Sequence, residues 1–437
     1  MMARTTDRYP TVAEVTESAR RLVSRFPGAG RLRRIGNSRA GRPILMLSVG
    51  HGPRHVLVVA GPHPDEPVGG ATALALAERV ARGDRLSAAT DPALVTWDIV
   101  LCLDPDGAAV SEAGAEGTPT AVGHTLRGYY GTTFRPIAAE QPEWAPIVTH
   151  PLPESRALFQ LIDETRPFLQ CSLHSTDVGG SWVQLTRDLP ELAAPFRTSA
   201  SELGIPLQHG TYDALFWENP SPAIYVLPPP AGTGRLAAGS ENIGASTWCA
   251  PLRYGGITAI VEVPMWASEL AEDLTPYPDA GHALRAFSEL VLDGGRRVTA
   301  VLDRARGFLP PPQEDPLRRV LEWMADGLYT MVADSWAPLA RQAAAEPRLL
   351  TTAQVSTLNT VARRQPIRAA GLLLRLLEAS DDSAAPALHR ELDELFTTWC
   401  TDAEDALRVR WVPVRHQVEH QARTVLAAAE SALKALP

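Results

Sequence analysis

What the chain lacks narrows it first. Its basic residues form no long run, and Lys plus Arg (41) are outnumbered by Asp plus Glu (50), leaving a net charge of −9. Non-specific nucleic-acid binding needs clustered cations, so no nucleic-acid partner is expected. No uninterrupted apolar stretch approaches the ~20 residues that span a bilayer. The opening Met-Met-Ala-Arg-Thr-Thr-Asp-Arg-Tyr-Pro has no apolar segment of the kind a secretory leader carries. No membrane partner and a cytoplasmic location are therefore expected. Cysteine is scarce: Cys102, Cys171, Cys249 and Cys400 are scattered, three of them in apolar runs, and are expected to be reduced and buried. No internal repeat or low-complexity tract stands out. A length of 437 residues exceeds what one core usually supports, so two domains are expected, at 1–305 and 306–437.

Along the first of these, residues 10–26 read as a helix with Thr11 as N-cap, and residues 35–49 as a turn feeding a strand. A β-branched run at 55–60 stops at Gly61-Pro62 and is followed by helical spacing over 67–83. Leu94–Leu103 reads as a strand that ends in a turn at Asp104-Pro-Asp-Gly107. Residues 108–150 show little period of either kind and are expected to form a long functional loop with Arg127, Tyr129, Tyr130, Arg135 and Trp144. Further on, 153–165 reads as a helix, 168–174 as a buried strand ending on His174, 182–186 as a strand and 190–203 as a helix. Residues 219–246 read as a second long loop region, and 255–264 as an apolar strand carrying Glu262 at its end. From about residue 285 to the end, Leu-, Ala- and Arg-rich helical spacing dominates, with breaks near Pro310, Pro347 and Asp381, and roughly 310–437 reads as a helical domain.

Three strands of parallel type thus end in ionisable residues: His63 with Glu66, His174, and Glu262. Strand ends on one rim of a twisted sheet meet in one crevice. Two imidazoles and a carboxylate are the ligand types of hydrolytic zinc, which keeps one further position open. A separate carboxylate inside an apolar run, Glu262, is costly to bury without a partner. Alternation along its strand turns Cys171 away from His174, so Cys171 is expected to pack rather than ligate.

The order Ile35-Gly-x-Ser-x-x-Gly-Arg-Pro-Ile, Gly61-x-His63-x-x-Glu66, Asp104-Pro-Asp-Gly, His174-Ser175 and a strand ending in Glu262 resembles the M14 zinc carboxypeptidase family over about residues 10–300. The resemblance implies an α/β fold with a mixed, mainly parallel twisted sheet flanked by helices. An α-helical C-terminal domain would follow it. It implies Zn²⁺ on His63, Glu66 and His174, and Glu262 as general acid and base. Arg127 would be the catalytic arginine facing the oxyanion, and Arg135 and Ser175 would bind substrate, with Arg135 favoured as the carboxylate clamp. The family's usual Asn-Pro-Asp-Gly begins here with Asp104. Its Asp-Leu-Asn-Arg-Asn-Phe segment is missing, with Thr-Thr-Phe-Arg135-Pro as the nearest remnant. Its mobile tyrosine has no match, the region reading Gly-Ser240-Glu-Asn-Ile-Gly.

The expected activity is hydrolysis of a peptide or amide bond by a carboxypeptidase-type metallopeptidase. His174-Ser-Thr176 is also similar to the acyl-amino-acid amidohydrolases, whose substrates are N-acyl amino acids, and an M14-like binding protein without catalysis is the third reading. Two further patterns are set aside. Gly61-Pro-His-Pro-Asp-Glu-Pro is similar to the opening of the LmbE/PIG-L sugar deacetylases but lacks their second adjacent carboxylate. His416-Gln-Val-Glu419-His420 spells the inverted zincin pattern, yet the chain ends before a third ligand, and both histidines are expected to be solvated. The apolar stripes of the C-terminal helices are expected to cover one end of the crevice or to mediate a homo-oligomer.

Overall fold

The computed structural model describes residues 7–28, 30–83, 87–117, 123–215, 217–228, 243–346 and 348–436. Ser240 and half of the second expected loop, and the break at Pro347, lie outside them. Helix α1 (Val12–Arg25) starts where Thr11 and Glu14 close a capping box. Strand β1 (Gly30–Asn37) pairs antiparallel with β2 (Pro43–Val49), and β3 (Arg54–Val59) leads into α2 (Val68–Ala81). Between the last two, Gly61 takes φ 60°, a left-handed turn that a side chain would resist, and so swings the chain toward His63.

After β4 (Val95–Val100) the expected turn is instead the start of helix α3 (Pro105–Ala115). Asp104 accepts from the Gly107 amide as N-cap and Pro105 sits at the first helical position, a combination that starts helices as readily as it makes turns. The segment expected to be irregular also holds α4 (Leu126–Thr132), capped by Thr125, and the short α5 (Ala145–Val148). These pieces are too short to show a period in the sequence. Helix α6 (Pro153–Thr165) falls on the expected residues. Then come β5 (Leu169–Gly179), β6 (Trp182–Leu185), α7 (Ala193–Leu203), the hairpin β7 (Glu218–Ser221) and β8 (Ile224–Val226), and β9 (Ile257–Ser268).

The strands form one mixed sheet in the order β1-β2-β4-β3-β5-β9-β6-β8-β7, with β10 (Val409–Trp411) added antiparallel to the far end of β9. Its centre, β4, β3, β5 and β9, is parallel, and β2 and β6 border it antiparallel. Two expectations change here. His174 and Glu262 are Cα partners in the β5–β9 ladder, which runs on to Gly179 and Ala267. Both residues therefore sit inside long strands and not at their ends, because each strand keeps the other paired beyond the site.

The C-terminal helices are α8 (Ala280–Ala305), α9 (Pro316–Trp323), α10 (Tyr329–Ala345), α11 (Thr352–Glu378), α12 (Ala385–Leu407) and α13 (Val414–Lys434). Their apolar stripes meet in one buried cluster that also takes in Tyr129, Tyr130, Phe134, Met265 and Trp266 from the sheet side. Helix α13 leaves that cluster and lays Ala422, Val425, Ala428 and Ala429 on the sheet face shared with α1, α2 and α7. Helix α6 covers the opposite face through Leu158, Leu161 and Ile162. Helix α11 is drawn against α4 at Gly371, where a Cβ would lie 2.1 Å from the Tyr130 carbonyl oxygen. That close approach, open only to glycine, puts α11 beside the carboxyl side of the sheet.

The four cysteines are free and buried. No helix among the described residues is long and apolar enough to cross a membrane. His420 contradicts its expected exposure: it is fully buried, with its two ring nitrogens 2.9 Å from Ser199 Oγ and Ser181 Oγ. The helix face that looked polar is turned inward because serines on α7 and beside β6 satisfy the ring.

Candidate metal centre

The turn after β3 and the middle of β5 bring His63, Glu66 and His174 together. All three are buried, and one ligand atom from each lies within 4.8 Å of the others. The Glu66 carboxylate is the hub: His63 Nδ1 is 3.0 Å from one oxygen and His174 Nδ1 is 2.9 Å from the other. The Ser175 amide donates to that second oxygen at 3.1 Å. Behind His174, Nε2 faces Glu143 Oε2 at 3.0 Å, and Ser172 Oγ donates to the other Glu143 oxygen at 2.8 Å. A carboxylate on the far nitrogen fixes a histidine's tautomer and leaves the near nitrogen free to ligate.

Electrostatics agree with that use. Burial favours the neutral form of Glu66, yet His63, His174 and Arg135 outweigh it and hold the carboxyl well below its ordinary value. Burial and then the Arg135 charge push His63 down, toward the neutral form a ligand must have. Burial opposes charge on His174, but Glu66 and Glu143 together raise it well above its ordinary value. The cluster is a place that attracts positive charge. The donor set, its burial and its convergence on one carboxylate fit a zinc ion.

The cluster opens into a cavity of about 200 Å³, room for a substrate end and far more than one water needs. Glu262 lines it, with its Oε2 buried and without a hydrogen-bond partner among the described residues. Burial first, and the nearby Glu66 charge second, push the Glu262 carboxyl up to about 8. Ser175 Oγ is likewise buried without a partner among these residues.

The two arginines separate. Arg135 reaches the site: its Nη1 donates to Glu66 at 2.6 Å and Asp65 at 3.2 Å, and its Nη2 lies 3.3 Å from His63 Nε2. Arg127 does not. It pairs with Asp393 at 2.6 Å, donates to Thr397 and lies over the Phe396 ring, held at the surface by α12 and away from the cavity. Tyr129 and Tyr130 are buried supports, donating to the Asp65 carbonyl and to the Asp177 carboxylate, whereas Trp144 lines the cavity. Cys171 points into the core, as alternation required.

Among the residues at the site that carried no expectation are Asp65, Glu143, Asp177, Arg364 and Arg368. Arg368 donates to Asp65 at 2.8 Å, and Arg364 to Asp177 at 3.2 Å. One signal for the arginines is present in the sequence. Thr357, Thr360, Arg364 and Arg368 recur every three or four residues, a polar stripe along a helix whose other positions are largely apolar. Glu143, inside Glu-Gln-Pro-Glu-Trp144, had no such signal.

Fold and cluster together define a mixed α/β protein with a buried two-histidine, one-carboxylate centre beside a lone glutamate. Residues 15–183 match the family described as Peptidase_M14, zinc carboxypeptidase. The resemblance is thereby shown for the segment that carries His63, Glu66 and His174; Glu262, Arg364 and Arg368 lie beyond it. No curated protein gives a significant match. Among solved structures, thrombin activatable fibrinolysis inhibitor is similar at 14% identity over 45% of this chain and 56% of its own, with a TM-score of 0.33. A metallo-carboxypeptidase from Burkholderia cenocepacia is similar at 15% identity over 56% and 58%, TM-score 0.38. One from Pseudomonas aeruginosa is similar at 20% over 57% and 59%, TM-score 0.36. The chain thus spans somewhat over half the length of each, and no residue role below rests on these likenesses.

Proposed function

We propose that the protein is a zinc-dependent hydrolase of peptide or amide bonds, of carboxypeptidase type. The observation that carries the reading is the Glu262 carboxyl, whose buried Oε2 has no hydrogen-bond partner among the described residues and which faces the same cavity as the buried His63, Glu66 and His174. An unpaired acid in such a place is a standing cost unless it has a proton to move.

His63, Glu66 and His174 would hold the ion, and zinc bound there supplies Lewis-acid polarisation of a carbonyl and a water acidic enough to attack at neutral pH. Glu143 orients His174 from behind, through the ring nitrogen that faces away from Glu66. The His63 ring proton would have to move to Nε2, and Arg135, which can only donate, would then withdraw from that nitrogen while keeping Asp65. Glu262 takes the proton of the attacking water and returns it to the departing amine. Its raised pKa serves the second half of that task, and loss of the free Glu66 charge on metal binding would lower it and serve the first. Trp144 and Trp248 border the cavity and limit water around the reacting bond.

The test is zinc content by elemental analysis together with turnover on a panel of peptides with free C-termini and N-acyl amino acids. Glu262→Gln should keep the metal and the fold and lose about 10²–10⁴-fold in kcat. A zinc-loaded parent that hydrolyses no member of the panel, or a Glu262→Gln protein as active as the parent, would refute the reading.

A further inference from the structure

The charges around the cavity form a chain. It begins at Glu66, passes to Arg135, then to Asp65, which Arg135 shares with Arg368, then to Asp177, and ends at Arg364. Every inner member touches two partners of opposite sign. Arg135 is held by Glu66 and Asp65, and Arg368 by Asp65 at 2.8 Å and by Asp177 at 3.9 Å. Asp177 is fully engaged, by the Tyr130 hydroxyl, the Val178 amide and the two arginines. Among the described residues the terminal Arg364 has a single ion pair, through Nη1 at 3.2 Å. Its Nε is buried and has no hydrogen-bond partner among the described residues, and the residue lines the cavity.

The balance of charge points the same way. If Glu66 is given to a metal ion, the ion pairs that remain set Arg135, Arg364 and Arg368 against Asp65 and Asp177, three cations sharing two anions. Asp213 also borders the cavity but makes no ion pair with Arg364, and burial raises its carboxyl toward the neutral acid. A guanidinium with donors to spare, fixed on one side by a carboxylate, presents a planar fork to an incoming anion. It stands on α11, whose Thr357, Thr360, Val361, Arg364 and Arg368 form one wall of the cavity.

We propose that Arg364 receives the carboxylate of the substrate, so that helix α11 of the C-terminal region completes the active site and sets its preference for an acidic substrate end. This rests on the hydrolase reading above. It moves the clamp from Arg135, whose Nη1 donates to Asp65 and Glu66 inside the metal cluster, to a residue 229 positions further along the chain.

The experiment compares the parent, Arg364→Gln and Arg364→Lys on N-acetyl-phenylalanyl-phenylalanine and its C-terminal amide. Zinc content and melting temperature are read on each protein. A calorimetric titration with N-acetyl-phenylalanine is run beside the kinetics. Arg364→Gln should bind the free acids about 10–100-fold more weakly, the range for losing a charged hydrogen bond. The amide should be unaffected and zinc unchanged. Arg364→Lys, which keeps the charge and the link to Asp177, should recover only part of the loss and guards against a Gln variant that fails to fold. Equal losses on acid and amide, or acid binding by a folded, zinc-loaded variant as tight as the parent's, would overturn the assignment. A parent that hydrolyses neither compound while its binding of N-acetyl-phenylalanine still depends on Arg364 would refute the hydrolase reading and leave the anion site standing.

Discussion

Glu143 offers the sharpest test of how the centre is built. Its carboxylate is fully buried, 3.0 Å from His174 Nε2 on one oxygen and 2.8 Å from Ser172 Oγ on the other. Burial favours the neutral acid, yet contact with His174 outweighs it and keeps the carboxyl below its ordinary value. Glu143→Gln preserves shape and one acceptor oxygen, so the ring stays in place and only the charge is lost. A hydrogen bond to a charged group contributes about 1.5–3 kcal/mol, against about 0.5–1.5 for a neutral one. The imidazole also becomes a poorer donor of its Nδ1 lone pair. Replacing such an outer partner costs roughly 10–100-fold in metal affinity, or about 1.4–2.7 kcal/mol. Zinc affinity is read by competition with a chromophoric chelator at fixed pH, with the far-ultraviolet circular dichroism of both proteins as the control for folding. Zinc held by the folded variant as tightly as by the parent would show that Glu143 is a packing residue and that His174 is not a ligand through Nδ1.

Other consequences are more local. Asp104 is buried, and burial raises its carboxyl from 3.8 to about 7 against the opposing Gly107 amide and Arg39. A carboxyl raised on folding stabilises below its unfolded value and loses that contribution as pH climbs through the folded one. At about 1.4 kcal/mol per pH unit, Asp104→Asn should gain up to roughly 4 kcal/mol relative to the parent between pH 4 and pH 8. A stability difference in urea that does not vary with pH would refute this. His420→Ala should leave zinc content unchanged but strand the Ser199 hydroxyl at about 1–3 kcal/mol, visible as a lower urea midpoint, while Ser181 keeps its bond to the Glu262 carbonyl; a loss of zinc would instead revive a second metal site on α13. Arg127→Ala should leave kcat and KM unaltered and cost at most about 1 kcal/mol of stability, since its pair with Asp393 is largely solvated. A fall in kcat would return Arg127 to the mechanism.

The parts legible in the sequence are those that depend on neighbours a few residues away. Thr11 with Glu14 specified the start of α1, and Pro153–Thr165 showed its helix by apolar spacing alone. His63 and Glu66, three apart beyond a β-branched run, announced the site because one turn can present both side chains to one point. His174 and Glu262 could be added because buried parallel strands carry their own pattern. The same local logic failed where two outcomes share a signal. Asp104-Pro-Asp-Gly107 suits a turn and a helix start equally, and only the packing of α3 chose. His420 looked solvated because nothing in α13 reveals the serines that receive it.

Tertiary structure alone decided the rest. Whether Arg127 or Arg135 enters the cavity depends on where Asp393 of α12 lies, and no spacing between them in the chain encodes that. Glu143 meets His174 because the chain between α4 and α6 folds under β5. Arg364 and Arg368 reach the centre only because Gly371 lets α11 press against α4. The sequence by itself determined the two histidines and the carboxylate that converge and the strands that carry them, since those follow from local backbone geometry. Which charges surround them, and from which end of the chain they come, was decided by long-range packing, because an ion pair or a close backbone contact between residues hundreds of positions apart exists only once the chain is folded.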